Sequence, residues 1–265
     1  MHITIINDCS DENVVGRQLA RVATLTDASV GFIGLGAYGD MAAAGNLIDA
    51  LDAHEGTRGA VLVNVAPRHG GGKKWSNGTP FCYFWHNHTL VIATFGGHTL
   101  SLVKKLDLVE RVSLIDVHAV VDKMAREHLL DEKMAERVNT TQFRSFDFVP
   151  RVASYILREN EPPATQVTLD EVVDMPSVVW WVDNFGNVKT SLLPDEAGFE
   201  AGKTIIVNDE KLLCYTRLAD VPDGERAVII GSSGVGAQRF LEIVVQGKRA
   251  CDAFGLSIGS EVVIG

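Results

Sequence analysis

Apolar and polar positions follow two different regimes along the 265 residues. In the first, short apolar runs alternate with segments of helical period. Ile3–Ile6, Ser29–Leu35, Ala60–Val65, Leu90–Thr94 and Val112–Val117 read as buried strands. Between the first two, Val15, Leu19 and Val22 share one helix face, and Asp8-Cys9-Ser10-Asp11 is a turn able to cap it. A second helix runs through Met41, Leu47, Ile48 and Leu51, and further helices are predicted around Val120–Leu130 and Phe148–Leu157. His86-Asn87-His88 has the character of a hairpin turn. Such alternation predicts an α/β fold, a mostly parallel sheet flanked by helices on both faces.

The second regime begins after a polar stretch, Arg158–Thr165, that carries the pair Pro162-Pro163 and reads as a linker. Short strands then follow at Val178–Val182, Val188–Leu192, Thr204–Val207, Lys211–Thr216, Ala227–Ile230, Phe240–Val245 and Glu261–Ile264, punctuated by Gly, Asp and Pro. That spacing predicts a small all-β, barrel-like domain. The expected organisation is an α/β domain over 1–160, a linker over 161–170 and the β domain over 171–265. A ligand is expected in the crevice between them.

Composition narrows the partner. Hydrophobic residues make up 46% and charged residues 22%, an ordinary globular balance. The net charge is −10 and there is no Lys/Arg run, which disfavours nucleic acid and anionic membranes and leaves a small molecule. No apolar run approaches the ~20 residues of a spanning helix. Met1–Asp8 lacks a basic leader, and Cys9, Cys82, Cys214 and Cys251 form no CxxC pair. A reduced, cytoplasmic protein is the expectation.

Several motifs carry candidate chemistry. Gly34-Leu35-Gly36-Ala37-Tyr38-Gly39 spells GxGxxG, but it follows the second strand, and the next strand ends at Asn64 rather than at a ribose-binding acid. His86, His88 and His98 lack the carboxylate or thiol partners of a metal centre, so no metal site is expected. Ser232-Ser233-Gly234-Val235-Gly236 lacks the lysine of a phosphate loop and reads as a turn. Asp8 closes the first strand at the carboxyl edge of the sheet, where a carboxylate can accept a ribose diol or cap the next helix, a task Asp11 could take instead. Trp180–Asn187 joins aromatics, a carboxylate and an amide in a tight turn, suited to adenosine or amino-acid recognition and equally to hairpin packing.

Asp183-Asn184-Phe185-Gly186-Asn187-Val188-Lys189-Thr190, Phe240–Val245, and Ala250–Gly259 followed by Glu261–Ile264 together resemble one known domain. It is the C-terminal domain of the S-adenosylmethionine-dependent halogenase and hydroxide adenosyltransferase family, which includes the fluorinase and chlorinase. Asp8 and Asp40-Met41-Ala42-Ala43-Ala44 are similar to its N-terminal landmarks. The resemblance implies that a small nucleophile attacks ribose C5′ of S-adenosylmethionine and releases L-methionine, in a homotrimer with the site between subunits and no cofactor besides that substrate. It implies that Asp8 holds the ribose hydroxyls and that Asp183 and Asn187 meet the methionine end or ribose. Phe185 then lines the pocket, Gln238 and Arg239 lie near adenine or the amino-acid end, and Tyr38 and Phe143 complete the substrate-binding set.

The departures from the family pattern concern water activation. The family's Asp and Arg correspond to Ala66 and Lys73, its His to Arg144, and its Pro-Asp-Asn-Gly turn to Thr94-Phe95-Gly96-Gly97. Ser145 falls at the halide-contacting serine. His69, Lys73 and Arg144 would form a basic cluster favouring an anionic nucleophile, with His69 or Lys73 as base. The catalytic candidates are therefore His69, Lys73, Arg144 and Ser145. The alternatives are an adenosyl-ligand binding protein without turnover, or a different reaction on a related ligand at the basic cluster.

Overall fold

The β-branched runs of the first half pair as parallel strands. In the computed structural model, which describes residues 1–66 and 78–265, β1 (His2–Asn7) lies between β2 (Ser29–Gly34) and β3 (Gly59–Asn64). Next to β3 runs β5 (Thr89–Thr94), also parallel. β4 (Phe81–His86) folds back on β5 through the Asn87-His88 turn, and β6 (Arg111–Ile115) and β7 (Ala164–Thr168) extend the sheet. The order is β2-β1-β3-β5-β4-β6-β7. The expected mostly parallel arrangement therefore holds for β2-β1-β3-β5 and stops there, because the β4–β5 hairpin reverses chain direction and the remaining pairs are antiparallel.

Period-two alternation divides each central strand between two cores. Ile3, Ile5, Ala60, Leu62, Leu90 and Ile92 face the layer of α1 (Glu12–Thr26), α4 (Val117–Arg126), α5 (Glu132–Thr140), the one-turn α6 (Arg144–Asp147) and α7 (Val149–Leu157). Ile6, Val61, Val63, Val91 and Ala93 face α2 (Asp40–Ala53) and the short α3 (Ser101–Lys105). With both faces covered, these strands read as near-continuous apolar runs.

The segment expected as a linker does other work. Ala164–Thr168 pairs residue by residue with β6, from Ile115↔Ala164 to Arg111↔Thr168. Thr165, Val167 and Thr168 are β-branched and suit a strand, and the otherwise open edge of β6 supplies its partner.

The second sheet contains β8 (Val179–Val182), β9 (Val188–Thr190), β10 (Thr204–Val207), β11 (Glu210–Tyr215), β12 (Arg226–Val235) and β13 (Gln238–Val245), in the order β10-β11-β12-β13-β9-β8. It is all-β, with α8 (Ala250–Phe254) packed beside it. Among the described residues no ladder closes it into a barrel. The strand expected at Glu261–Ile264 instead makes single bridges, Glu261 to Val178 beside one edge strand and Ile264 to Val207 on the other.

The two regions meet along α2, and this contact is filled. Trp180, 1% exposed, lies flat against α2 where residue 45 is glycine. Near the end of α2, Asp52 accepts from the two terminal guanidinium nitrogens of Arg239, Nη1 at 2.9 Å and Nη2 at 3.1 Å, and Asp49 accepts from Ser233 Oγ at 2.9 Å and the Gly234 N–H at 3.2 Å. The crevice expected between the regions is therefore a packed interface within one chain.

Candidate active site

The carboxyl ends of β1, β3 and β5 gather the polar groups that the apolar strands exclude. Asp8 follows β1 directly. Its Oδ2 accepts from two backbone N–H groups, Tyr38 at 3.1 Å and Ala66 at 2.9 Å, which ties together the loops after β2 and β3. Its Oδ1 is buried and has no hydrogen-bond partner among the described residues. Asp11, not Asp8, caps α1, accepting from the Val14 N–H at 3.1 Å. The carboxylate at residue 8 is thus held through Oδ2, with Oδ1 left unpaired among the described residues. The GxGxxG segment contributes the Tyr38 amide to this arrangement, and Tyr38 itself is 47% exposed.

Two supports escaped the sequence reading. Asn7, fully buried, accepts from the Cys9 N–H at 2.9 Å and Asn64 Nδ2 at 3.2 Å and donates to Gln18 Oε1 at 2.8 Å, which sets the turn presenting Asp8. Asp40, at the first position of α2, accepts from the His98 N–H at 3.0 Å and holds the loop after β5. An amide at the end of each of two apolar runs, Asn7 and Asn64, was the available signal for the first.

Arg144 reaches this edge from the other side. Its Nη2 donates to the Thr79 carbonyl at 2.7 Å, and its guanidinium sits 4.8 Å from the Phe81 ring centroid. Burial pushes the guanidinium below its ordinary pKa. Gly78, at φ +76°, has no side chain to block it; a Cβ there would lie 2.7 Å from Arg144 Nη2. Phe81 pairs with Thr94, so Arg144 stands at the same end of the sheet as the β5 terminus. Ser145 is buried in α6. Phe143 stacks on Phe146 at 5.4 Å, with Arg17 of α1 above it at 5.3 Å, so its ring packs into the α1–α6 contact. His69 and Lys73 lie outside the described residues, as do Pro67 to Lys74 of the glycine-rich segment.

The second group is the turn between β8 and β9. Asp183 Oδ1 accepts from the Phe185 and Asn187 N–H groups, both at 2.9 Å, and Oδ2 accepts from Asn187 Nδ2 at 2.9 Å. Asp183 and Asn187 therefore build the turn, and the turn projects Phe185, 78% exposed. Its outside supports come from the same region: Arg249 donates to the Asn184 carbonyl at 3.0 Å and the Cys251 N–H to the Gly186 carbonyl at 2.9 Å. No hydrogen bond among the described residues joins this turn to Asp8.

Gln238 and Arg239 stand elsewhere again. Arg239 is occupied by Asp52 and by the Ser232 and Gly234 carbonyls, both at 3.0 Å. Asp52 lies twelve residues along α2 from Asp40, about 18 Å at helical rise. Within one chain, Arg239 therefore clamps the β12–β13 hairpin to the end of α2 remote from Asp8. His86 and His88 flank the β4–β5 turn, whereas His98 follows the far end of β5, a six-residue strand away. They cannot meet on one ion. Ser232 and Ser233 surround Lys189 Nζ, which Ser233 Oγ meets at 2.7 Å and Glu242 Oε1 at 2.9 Å.

The chain is similar over its whole length to the solved structure of an uncharacterized conserved protein from Thermotoga maritima. Identity there is 20% and the TM-score 0.73, over 99% of this chain and 100% of that one. It is also similar to a conserved hypothetical protein from Thermus thermophilus, with 19% identity and a TM-score of 0.64 over 99% of each chain. These likenesses establish the fold. No curated protein matches the chain. Residues 177–263 match the profile of the SAM hydroxide adenosyltransferase C-terminal domain, a span that includes the Asp183 turn and β13. The second region of this chain is thus similar to the C-terminal domain of the SAM hydroxide adenosyltransferase family.

Proposed function

We propose that the protein is an adenosyltransferase that displaces L-methionine from S-adenosylmethionine by in-line attack at ribose C5′, with water, hydroxide or a small anion as nucleophile. The family of residues 177–263 supports the substrate class. The observation that carries the reading is the Asp8 carboxylate, fixed through Oδ2 and unpaired at Oδ1 among the described residues. A buried acceptor without a partner costs about 1–3 kcal/mol, which a ribose hydroxyl would recover. A sulfonium is a good leaving group and needs no proton, so catalysis reduces to alignment and removal of water around the nucleophile.

In this reading Arg144 supplies positive charge at the sheet edge and favours an anionic nucleophile. Ser145 contributes a hydroxyl, His69 or Lys73 acts as base, and Tyr38 lies on the substrate side, whereas the Phe143 ring, packed between α1 and α6, supports Arg144 and Ser145 from behind. The Asp183–Asn187 turn with Phe185 serves a neighbouring copy. Its exposed ring, and the lack of hydrogen bonds to Asp8 among the described residues of the same chain, support a site built between subunits of a homotrimer.

Purified protein incubated with S-adenosylmethionine, with and without chloride, should release methionine together with adenosine or a 5′-halo nucleoside, read by mass spectrometry. Asp8→Asn should lower kcat/KM by about 10- to 100-fold, the loss of charge-assisted hydrogen bonds. Methionine no higher than in the no-enzyme control rejects turnover. One feature favours the second reading, binding of an adenosyl ligand without reaction: Ala66 offers a methyl group where the resembling hydroxide enzymes place a carboxylate. Binding that Asp8→Ala abolishes, without methionine release by the parent, selects it.

A further inference from the structure

On the helical face of the first region, remote from the Asp183 turn and the α2 contact, a cavity of about 590 Å³ opens between α1, α4, α5 and α7. Its walls are mixed: the apolar side chains of Leu25, Met124, Leu129, Leu130 and Met134 alternate with polar ones that include Glu127, Asp131 and the exposed Arg158. Into it comes one buried cation, Arg151, 7% exposed. A guanidinium carries five N–H donors and is normally matched by carboxylates when buried. Here its partners among the described residues are the Asp147 carbonyl at 2.7 Å and the Met134 thioether at 3.1 Å, the latter a weak acceptor.

The neighbouring carboxylates are engaged elsewhere. Asp147 is taken by Thr141 Oγ1 at 2.8 Å and Arg137 at 3.0 Å. Glu127 accepts from the Tyr155 hydroxyl at 2.9 Å, and Asp131 caps α5 through the Met134 N–H at 2.8 Å. Cations are in excess around the same spot. Arg17 and Arg21 lie over the Phe146 ring at 4.6 and 4.2 Å and, with Arg151, line an adjoining cavity of about 470 Å³. Burial, then repulsion from Arg21, lowers the Arg151 pKa; Asp147 opposes this and Arg137 adds to it. In a chain of net charge −10, this local surplus of positive charge runs against the overall balance.

We propose that this cavity is a second ligand site, separate from the Asp8 edge, for an amphipathic monoanion: a free carboxylate with an unbranched aliphatic body. Arg151 takes the carboxylate, a bidentate match for its planar fork, and the Leu and Met side chains take the chain. The volume lies within the range of about 300–1,000 Å³ typical of small-molecule sites. Unbranched Met124 and Met134 adapt to chains of different length.

Titration calorimetry with octanoate tests this, with octanol (the body without the charge) and inorganic phosphate (a charge without the body) as controls. Octanoate should bind saturably at one site per chain, and each control should bind at least about tenfold more weakly. Arg151→Met should abolish binding. Because Arg151 also supports α6, Leu129→Glu provides an independent variant: the side chain is 50% exposed at the cavity wall, and a carboxylate there repels the ligand without disturbing the core. Asp8→Asn should leave octanoate binding unchanged. The proposal is overturned if octanol binds as tightly as octanoate, if Leu129→Glu leaves binding intact, if Asp8→Asn abolishes it, or if no saturable binding is found.

Discussion

Two helical glycines have opposite roles in this fold. Gly16, in α1, would meet nothing within 4 Å if it carried a Cβ; Gly45, in α2, would place that atom 2.0 Å from the Trp180 ring. Alanine relieves the backbone entropy cost of a helical glycine by about 0.5–1 kcal/mol. Gly16→Ala should therefore raise stability by that amount in urea denaturation. Gly45→Ala should lower it, because overpacking costs about 1–3 kcal/mol and the ring cannot retreat from a filled interface. A Gly45→Ala protein more stable than the parent would mean that Trp180 does not pack on α2. The same scale separates the two acids that precede α1. Asp11→Ala should cost about 1 kcal/mol as a lost cap. Asp8 serves the loops and the candidate site instead.

Among elements, the seam between α2 and the β12–β13 hairpin rests on two carboxylates three residues apart whose pKa values move in opposite directions. The Arg239 hydrogen bond holds Asp52 below its ordinary value, against desolvation, with help from the Gly236 N–H and the Arg239 charge. Burial raises Asp49, although Ser233, Lys189 and the Gly234 N–H pull it down. A depressed carboxylate contributes stability above its unfolded pKa and loses it as pH falls through the folded value; a raised one has a cost at neutral pH that acid relieves. Melting temperatures measured from neutral pH to about pH 3 should therefore show the Asp52→Asn deficit shrinking toward acid. The difference between parent and Asp49→Asn should change with pH in the opposite sense. Parallel profiles for the two variants would contradict this assignment. The Arg239 ion pair is about one-third exposed, so its contribution at neutral pH should be small.

For the whole molecule, the lack of any hydrogen bond between the Asp8 and Asp183 groups among the described residues makes assembly the decisive test of the proposed site. If neighbouring copies complete it, Asp8→Ala and Asn187→Ala proteins, each inactive alone, should regain part of the activity when unfolded and refolded as a mixture. A mixed assembly contains some sites with neither substitution. No recovery, with mixed assemblies shown by mass spectrometry, would place the whole site within one chain.

Much of the architecture was legible in the chain. The strands at residues 2–7, 29–34, 59–64 and 89–94 follow from apolar runs, since a strand buried on both faces needs them. β7 reads as a linker in the bare chain because its polarity suits either fate until β6 offers an open edge. α5 is polar over most of its length and depends on the Asp131 cap and on packing beside α4. The Asp183 turn was readable as a unit because its hydrogen bonds span two to four residues, so the residues that form it are also those that identify it. The environment of Asp8 was not, because its partners lie 30 and 58 residues away and meet it only once three strands are in register. Arg239 is the extreme case: a residue assigned to a ligand by position is bound by Asp52 across 187 positions of sequence. Local periodicity and short-range hydrogen bonds are properties of neighbouring residues and survive in a bare sequence. The identity of the group that neutralises a given charge depends on which distant surfaces pack together, and that is decided only when the sheets and α2 close on one another.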